Sequence, residues 1–170
     1  MNKIEFQFIG TIHSPFQEPK GMPIQPVGAK GIKGTVEVFP EFQEGLLDLD
    51  GFSHIILLYH LHLSKGFNLK VYPFLENKLR GVFSTRAPHR PNQIGLSIVR
   101  LIKIEKNIIH IENIDVIDET PLLDIKPFVP KFDCFDIDEN VKYGWLKNRV
   151  EKANNHKSDE RFVTQTSGLR

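Results

Sequence analysis

Residues 94–106 constrain this chain more than any other stretch. Isoleucine and leucine recur at alternate positions, Ile94, Leu96, Ile98, Ile102 and Ile104, while Gly95, Ser97, Val99 and Leu101 occupy the other face. A period of two marks an extended strand, because successive side chains point to opposite sides. Lys106-Asn107 reads as a two-residue turn into a second strand over Ile108–Glu112, giving an antiparallel hairpin. Strand-like runs also lie at 6–13, 34–39, 53–63 and 82–85, and 114–117 continues the pairing pattern. Residues 53–63 are apolar on both faces, as suits a central strand. Strands joined by short turns, with no regular helix between them, predict a mainly β fold. The expectation is a single antiparallel β-barrel with a few short helices and a C-terminal helix.

Two segments carry helical spacing. Residues 40–47 place proline in a first turn and Phe42 and Leu46 four apart. Residues 138–153 start at Asp138, a residue type that caps helices, and space Val141, Trp145 and Arg149 by four. The apolar stripe of this helix is expected to dock on the barrel or on a partner chain, with a polar, frayed tail from Asn154 onward. The chain of 170 residues thus divides into a barrel domain, 1–137, and a C-terminal helix with a flexible tail, 138–170.

Composition narrows the function. Lys and Arg number 22 against 21 Asp and Glu, so a nucleic-acid partner would have to be met by a local basic patch. One cysteine, Cys134, excludes an intramolecular disulfide and a four-cysteine zinc site and fits a reducing compartment. No signal-peptide pattern opens the chain, and no apolar run approaches the roughly 20 residues of a membrane span. A cytoplasmic protein is expected, with no membrane partner. P-loop, dinucleotide-fold, zinc-protease and serine-hydrolase motifs are all missing. His60 and His62, two apart and so expected on one strand face, have no nearby carboxylate or cysteine, so no metal is expected.

Three stretches do not fit ordinary packing. Residues 84–97, STRAPHRPNQIGLS, form a proline-stiffened loop that projects Arg86, His89 and Arg90 and then enters the long strand. A stiff loop holds donors at fixed angles with little ordering cost, and a guanidinium suits carboxylate or phosphate. Gly95 would let a ligand or another backbone come close. Residues 118–128, DETPLLDIKPF, combine turn formers with Asp124, which sits between Leu123 and Ile125 and has Lys126 as its nearest candidate partner. Residues 22–28, MPIQPVG, carry one amide side chain on a segment that prolines rigidify, within a stretch, 15–34, that holds four prolines and four glycines and is too long to be an idle connection.

These phrases, together with IGTIHSPF at 9–16 and FSH at 52–54, resemble the TsaA/TrmO family, also called YaeB-like. The likeness covers about residues 6–130. It implies a β-barrel that binds S-adenosyl-L-methionine, often as a homodimer, and methylates N6 of threonylcarbamoyladenosine at position 37 of tRNA. Carried onto matching positions, the resemblance implies cofactor contacts at Gln25, Pro26, His62, Leu63, Arg86, Leu96, Asp118, Thr120 and Pro121. Glu119 stands where the family commonly has glycine, although Asp-Glu fits a type I turn. Phe128 replaces a family tyrosine, so no catalytic tyrosine is expected there.

Methyl transfer from a sulfonium needs no protein nucleophile. A base for the N6 proton would help, and Asp124 and His89 are the candidates, Asp124 being favoured for its apolar neighbours. A basic surface for tRNA is expected from Lys78, Arg80, Arg86, Arg90, Arg100 and Lys103, with Lys142, Lys147, Arg149 and Lys152 on the C-terminal helix. Phe16, Tyr72, Phe74 and Phe128 are candidate platforms for an extruded base. Methylation of a small molecule, and cofactor binding without catalysis, are the alternative functions.

Overall fold

The computed structural model describes residues 3–135, 137 and 141–163. Eight strands run through it: β1 (Gly10–His13), β2 (Lys33–Val38), β3 (His54–His60), β4 (Lys70–Val71), β5 (Arg80–Gly81), β6 (Ile94–Glu105), β7 (Ile108–Glu112) and β8 (Thr120–Pro127). Six of them close into an antiparallel barrel in the order β1-β2-β7-β6-β3-β8, and β4 and β5 pair separately. Closure leaves no unpaired edge.

The barrel interior follows from the alternation. On β3, Ile55, Leu57 and Tyr59 point inward, and on β2, Val36 and Val38 do. With Ile12, Val99, Ile109, Ile111 and Leu122 they form a core almost without solvent contact. Each such aliphatic side chain stabilises the fold by about 1.5–3 kcal/mol.

β6 shows how a strand serves two faces. Its buried residues are Gly95, Ser97, Val99 and Leu101, while Ile94, Leu96, Ile98 and Ile102 lie outside. The pairing with β7 jumps between Leu101 and Lys103, which leaves Ile102 as a bulge and reverses the alternation. Ile104 therefore turns inward onto the core, and the run of isoleucines does not share one face. The Lys106-Asn107 turn is as expected, with Lys106 at φ 58°.

Several expected elements differ. The first strand begins at Gly10, although Ile9 still bonds to Leu122 and Phe39 through its backbone. Residues 82–84 form a 3₁₀ turn rather than a strand. Residues 114–117 form no strand, yet Ile114 and Val116 are buried in the core. The segment 40–47 forms a 3₁₀ helix over Pro40–Leu46.

The largest difference is at the C-terminus, where the expected helix over 138–153 does not form in the described part. Gly144–Leu146 and Val150–Asn154 form separate 3₁₀ turns. Gly144 at φ 53° and Asn148 at φ 67° adopt left-handed backbone, which interrupts a right-handed helix. The proposed cap, Asp138, lies outside the described residues. Residues beyond Asn154 are held as far as Val163 and are not frayed there. Ser158 exchanges backbone hydrogen bonds with Gly21 and Met22 at 2.9 Å each. Arg161 donates to the Pro73 carbonyl at 2.6 Å. The segment docks on two loops, 14–32 and 72–90, rather than on the barrel wall.

Candidate active site at one end of the barrel

The end of β3 and the starts of β6 and β8 lie at the same end of the barrel, because their neighbours run antiparallel. Loop 14–32, the arginine loop and the C-terminal segment rise above that end. Together they wall a cavity of about 470 Å³, within the range of small-molecule sites.

Six of the residues that the family likeness singled out line this cavity: Gln25, His62, Leu63, Arg86, Leu96 and Thr120. They come from four separated stretches of sequence. Arg86 donates to the Gln25 side-chain oxygen at 2.6 Å, which joins the arginine loop to the proline-rich loop. Thr120 is buried, donates to the Ile117 carbonyl at 2.7 Å and lies 3.4 Å from His62 Nδ1. Poor solvation, with the adjacent His60, holds His62 below the ordinary imidazole value. The two histidines do not share a strand face. β3 ends at His60, which stacks on Phe8, and the chain then turns His62 into the cavity.

The other three lie apart from the cavity lining. Pro26 opens a 3₁₀ turn and faces a neighbouring, mostly apolar cavity of about 670 Å³ that Gln25, Arg86 and Leu96 also line. Asp118 accepts from Gln17 at 2.9 Å and from the Ser14 backbone at 3.0 Å, and these bonds hold its carboxyl below the usual range. Pro121 sits on β8 opposite Thr11. The turn before it is not type I, since Glu119 has φ 59° where that turn needs a negative angle.

Neither candidate base lines the cavity. Asp124 is 42% exposed and is paired with Lys126 at 2.7 Å. His89 is buried, its ring set edge-on against Phe162 at 5.5 Å, and burial lowers its pKa. Arg90 lines the cavity, but one guanidinium nitrogen is spent on the carbonyls of Val82, Thr85 and Ala87, so it holds the loop in shape. Gly95 makes room for a protein ring: a Cβ there would run into Tyr59.

Two acids in this cavity, Asp115 and Asp159, were not foreseen. Asp115, just before β8, lines it and accepts a hydrogen bond from Ser97 Oγ at 2.6 Å. Ser97 Oγ lies 3.0 Å from the Tyr59 hydroxyl. Ser97 has one hydroxyl proton, given to Asp115, so Tyr59 donates to Ser97. Poor solvation pushes the Asp115 carboxyl up to about 6, against the Ser97 bond and the Arg86 charge. Burial also pushes the Tyr59 phenol up, which keeps it a donor. For Asp115 the available signal was an acid inside the otherwise apolar run Ile114–Ile117.

A closed antiparallel barrel carrying a nucleoside-sized cavity under three converging loops defines a small-ligand-binding β-barrel class. Residues 11–134 match the model of the tRNA-methyltransferase O N-terminal domain, and the chain belongs to that family. It is 56% identical over 156 residues to a "Probable S-adenosyl-L-methionine-binding protein" of Pyrococcus abyssi, covering 92% of this chain and 83% of that one. It is 36% identical over 132 residues to the mouse "tRNA (adenine(37)-N6)-methyltransferase", covering 74% of this chain and 31% of the mouse protein. The crystal structure of TrmO from Pseudomonas aeruginosa superposes with a TM-score of 0.69 at 37% identity, over 85% of this chain and 63% of that one.

Proposed function

We propose that this protein is an S-adenosyl-L-methionine-dependent methyltransferase that acts on N6 of adenine 37 in tRNA, with threonylcarbamoyladenosine as the acceptor. The observation that carries this reading is the convergence of Gln25, His62, Leu63, Arg86, Leu96 and Thr120 on one cavity. The residues fit the cofactor: apolar walls suit an adenine, and the Arg86 guanidinium suits an amino-acid carboxylate. Pro26, Asp118 and Pro121 complete the proposed contacts from the second rank, by shaping the loops that carry Gln25 and Thr120.

Bound S-adenosyl-L-methionine supplies a methyl group on a sulfonium that is its own leaving group. The chain's task is positioning, which contributes up to about 7–11 kcal/mol in favourable cases. Arg86 and Gln25 form one bonded pair in the cavity wall, Thr120 and His62 form another, and the C-terminal segment restricts water. Asp124 and His89, as placed, act by shaping β8 and the arginine loop.

Exposed Lys78, Lys142, Lys147 and Lys152 are the proposed phosphate contacts, since Arg80 and Arg149 both pair with Glu76, Arg100 with Glu112 and Lys103 with Glu105. That pairing favours a second reading, a small-molecule acceptor or binding without transfer. Among the described residues no helix is long and apolar enough to cross a membrane, and a cytoplasmic homodimer is the proposed form. Labelled methyl transfer to tRNA with and without the threonylcarbamoyl group tests the reading. Label confined to the modified tRNA supports it, and cofactor binding without transfer supports the non-catalytic alternative.

A further inference from the structure

The geometry points to Asp115 as the catalytic base of this site, the group that takes the proton from the acceptor nitrogen. The inference rests on the methyltransferase reading above. A delocalised exocyclic nitrogen is a poor nucleophile while it keeps its proton, so a carboxylate within reach raises the rate by about 10²–10⁴-fold.

Two acids line the cavity, Asp115 and Asp159. Arg161 binds both oxygens of Asp159 at 2.7–3.0 Å and holds its carboxyl below the usual range. Asp159 is therefore a weak base. Asp115 is oriented instead by neutral donors, through the chain from Tyr59 on β3 to Ser97 on β6 to its Oδ1. That chain and the residue's own backbone N–H fix the carboxylate in the wall of the cavity that it lines. Tyr59 is itself fixed by its packing on Gly95.

The step balances with these groups alone. N6 forms its bond to the methyl carbon, the carbon–sulfur bond breaks with its electron pair on sulfur, and the N6 proton passes to Asp115 and then to water. The positive charge on sulfur and the negative charge on the carboxylate disappear together. The groups facing Asp115 are Tyr59, Ser97 and Arg86, with His62, Arg90 and Asp159 elsewhere on the cavity wall. A carboxyl near pH 6 is ionised at neutral pH and still basic enough to accept the proton.

Four measurements test this: cofactor affinity by calorimetry without RNA, methyl transfer to modified tRNA, the pH profile of kcat/KM, and carboxyl NMR of the cofactor-free protein. Asp115→Asn should keep the cofactor Kd within about threefold and lower kcat by about 10²-fold or more. In the native protein kcat/KM should rise with pH through about 6 or somewhat below and then level, matching a carboxyl resonance that Asp115→Asn removes. Asp115→Glu should retain part of the rate and the acid limb. Unchanged turnover in Asp115→Asn overturns the assignment, as does an equal loss of cofactor affinity and rate. An acid limb lost in His62→Gln but kept in Asp115→Asn gives the role to His62. If Asp115→Asn fails to fold, a flat native profile between pH 5 and 8 still overturns it. A native protein that binds the cofactor yet methylates no tRNA contradicts the methyltransferase reading itself, whereas the other outcomes leave that reading standing.

Discussion

Arg86 is the one arginine of its loop that both lines the cavity and has a side-chain partner inside it, Gln25. Arg86→Ala should weaken S-adenosyl-L-methionine binding, measured without RNA, by about 10–100-fold, the range for a lost charge-assisted bond of roughly 1.5–3 kcal/mol. A loss of RNA affinity alone would make Arg86 a phosphate contact. Glu119 illustrates the opposite case, a residue held against its own preference. Its φ of 59° carries a penalty of about 1–2 kcal/mol for a side-chain-bearing residue. Its carboxylate is 71% exposed and lies 3.2 Å from His13, a surface pair of small worth. Glu119→Gly should therefore raise stability by about 0.5 kcal/mol in urea denaturation, after the entropic cost of glycine. A decrease would show that the His13 contact dominates. Asp115 and Asp124 mark how far residue-scale reading reached. Both acids sit between apolar neighbours, so that criterion could not separate them. The separation depends on Ser97, 18 positions away and brought beside Asp115 by the barrel, while Lys126 neutralises Asp124 locally.

At the scale of elements, five of the six barrel strands were legible as alternating or continuous apolar runs, whereas β8 was not, its residues reading as turn formers around Asp124. The inner and outer faces of the strands were less legible. β6 carries apolar residues on both faces, and only the bulge at Ile102 decides which side Ile104 joins. The C-terminal segment misled because spacing by four was read without the glycine and asparagine that break it. Its ordered form has a consequence for the site. Phe162 lines both cavities and packs edge-on against Phe74 at 5.0 Å. Trp145 donates to the Ser84 carbonyl at 2.7 Å, and Glu76 receives both Arg80 and Arg149, so the segment is tied along its length. Phe162→Ala should cost about tenfold in cofactor affinity by opening this wall. Unchanged affinity would make the segment a passive covering.

At the scale of the whole molecule, the outer face of β6 is unusual. Ile94, Leu96 and Ile98 are each 37–46% exposed and form an apolar stripe running from the cavity wall along the barrel as far as exposed Arg100. Such a stripe marks a contact surface, which the proposed homodimer would cover. Ile98→Lys should convert dimer to monomer in sedimentation equilibrium, and a wild type that is already monomeric would contradict it. The family likeness pointed to six residues that share the cavity and missed Asp115 and the C-terminal wall. It could not indicate how charge is distributed: Arg80, Arg100, Lys103 and Arg149, four of the ten basic residues expected to face tRNA, are paired with carboxylates. The tRNA assignment therefore rests on the acceptor assay. Purified protein and labelled S-adenosyl-L-methionine should methylate tRNA carrying threonylcarbamoyladenosine at position 37, and nucleoside mass spectrometry should place the methyl on that residue. Equal labelling of tRNA lacking the modification, or none of either, would contradict the account.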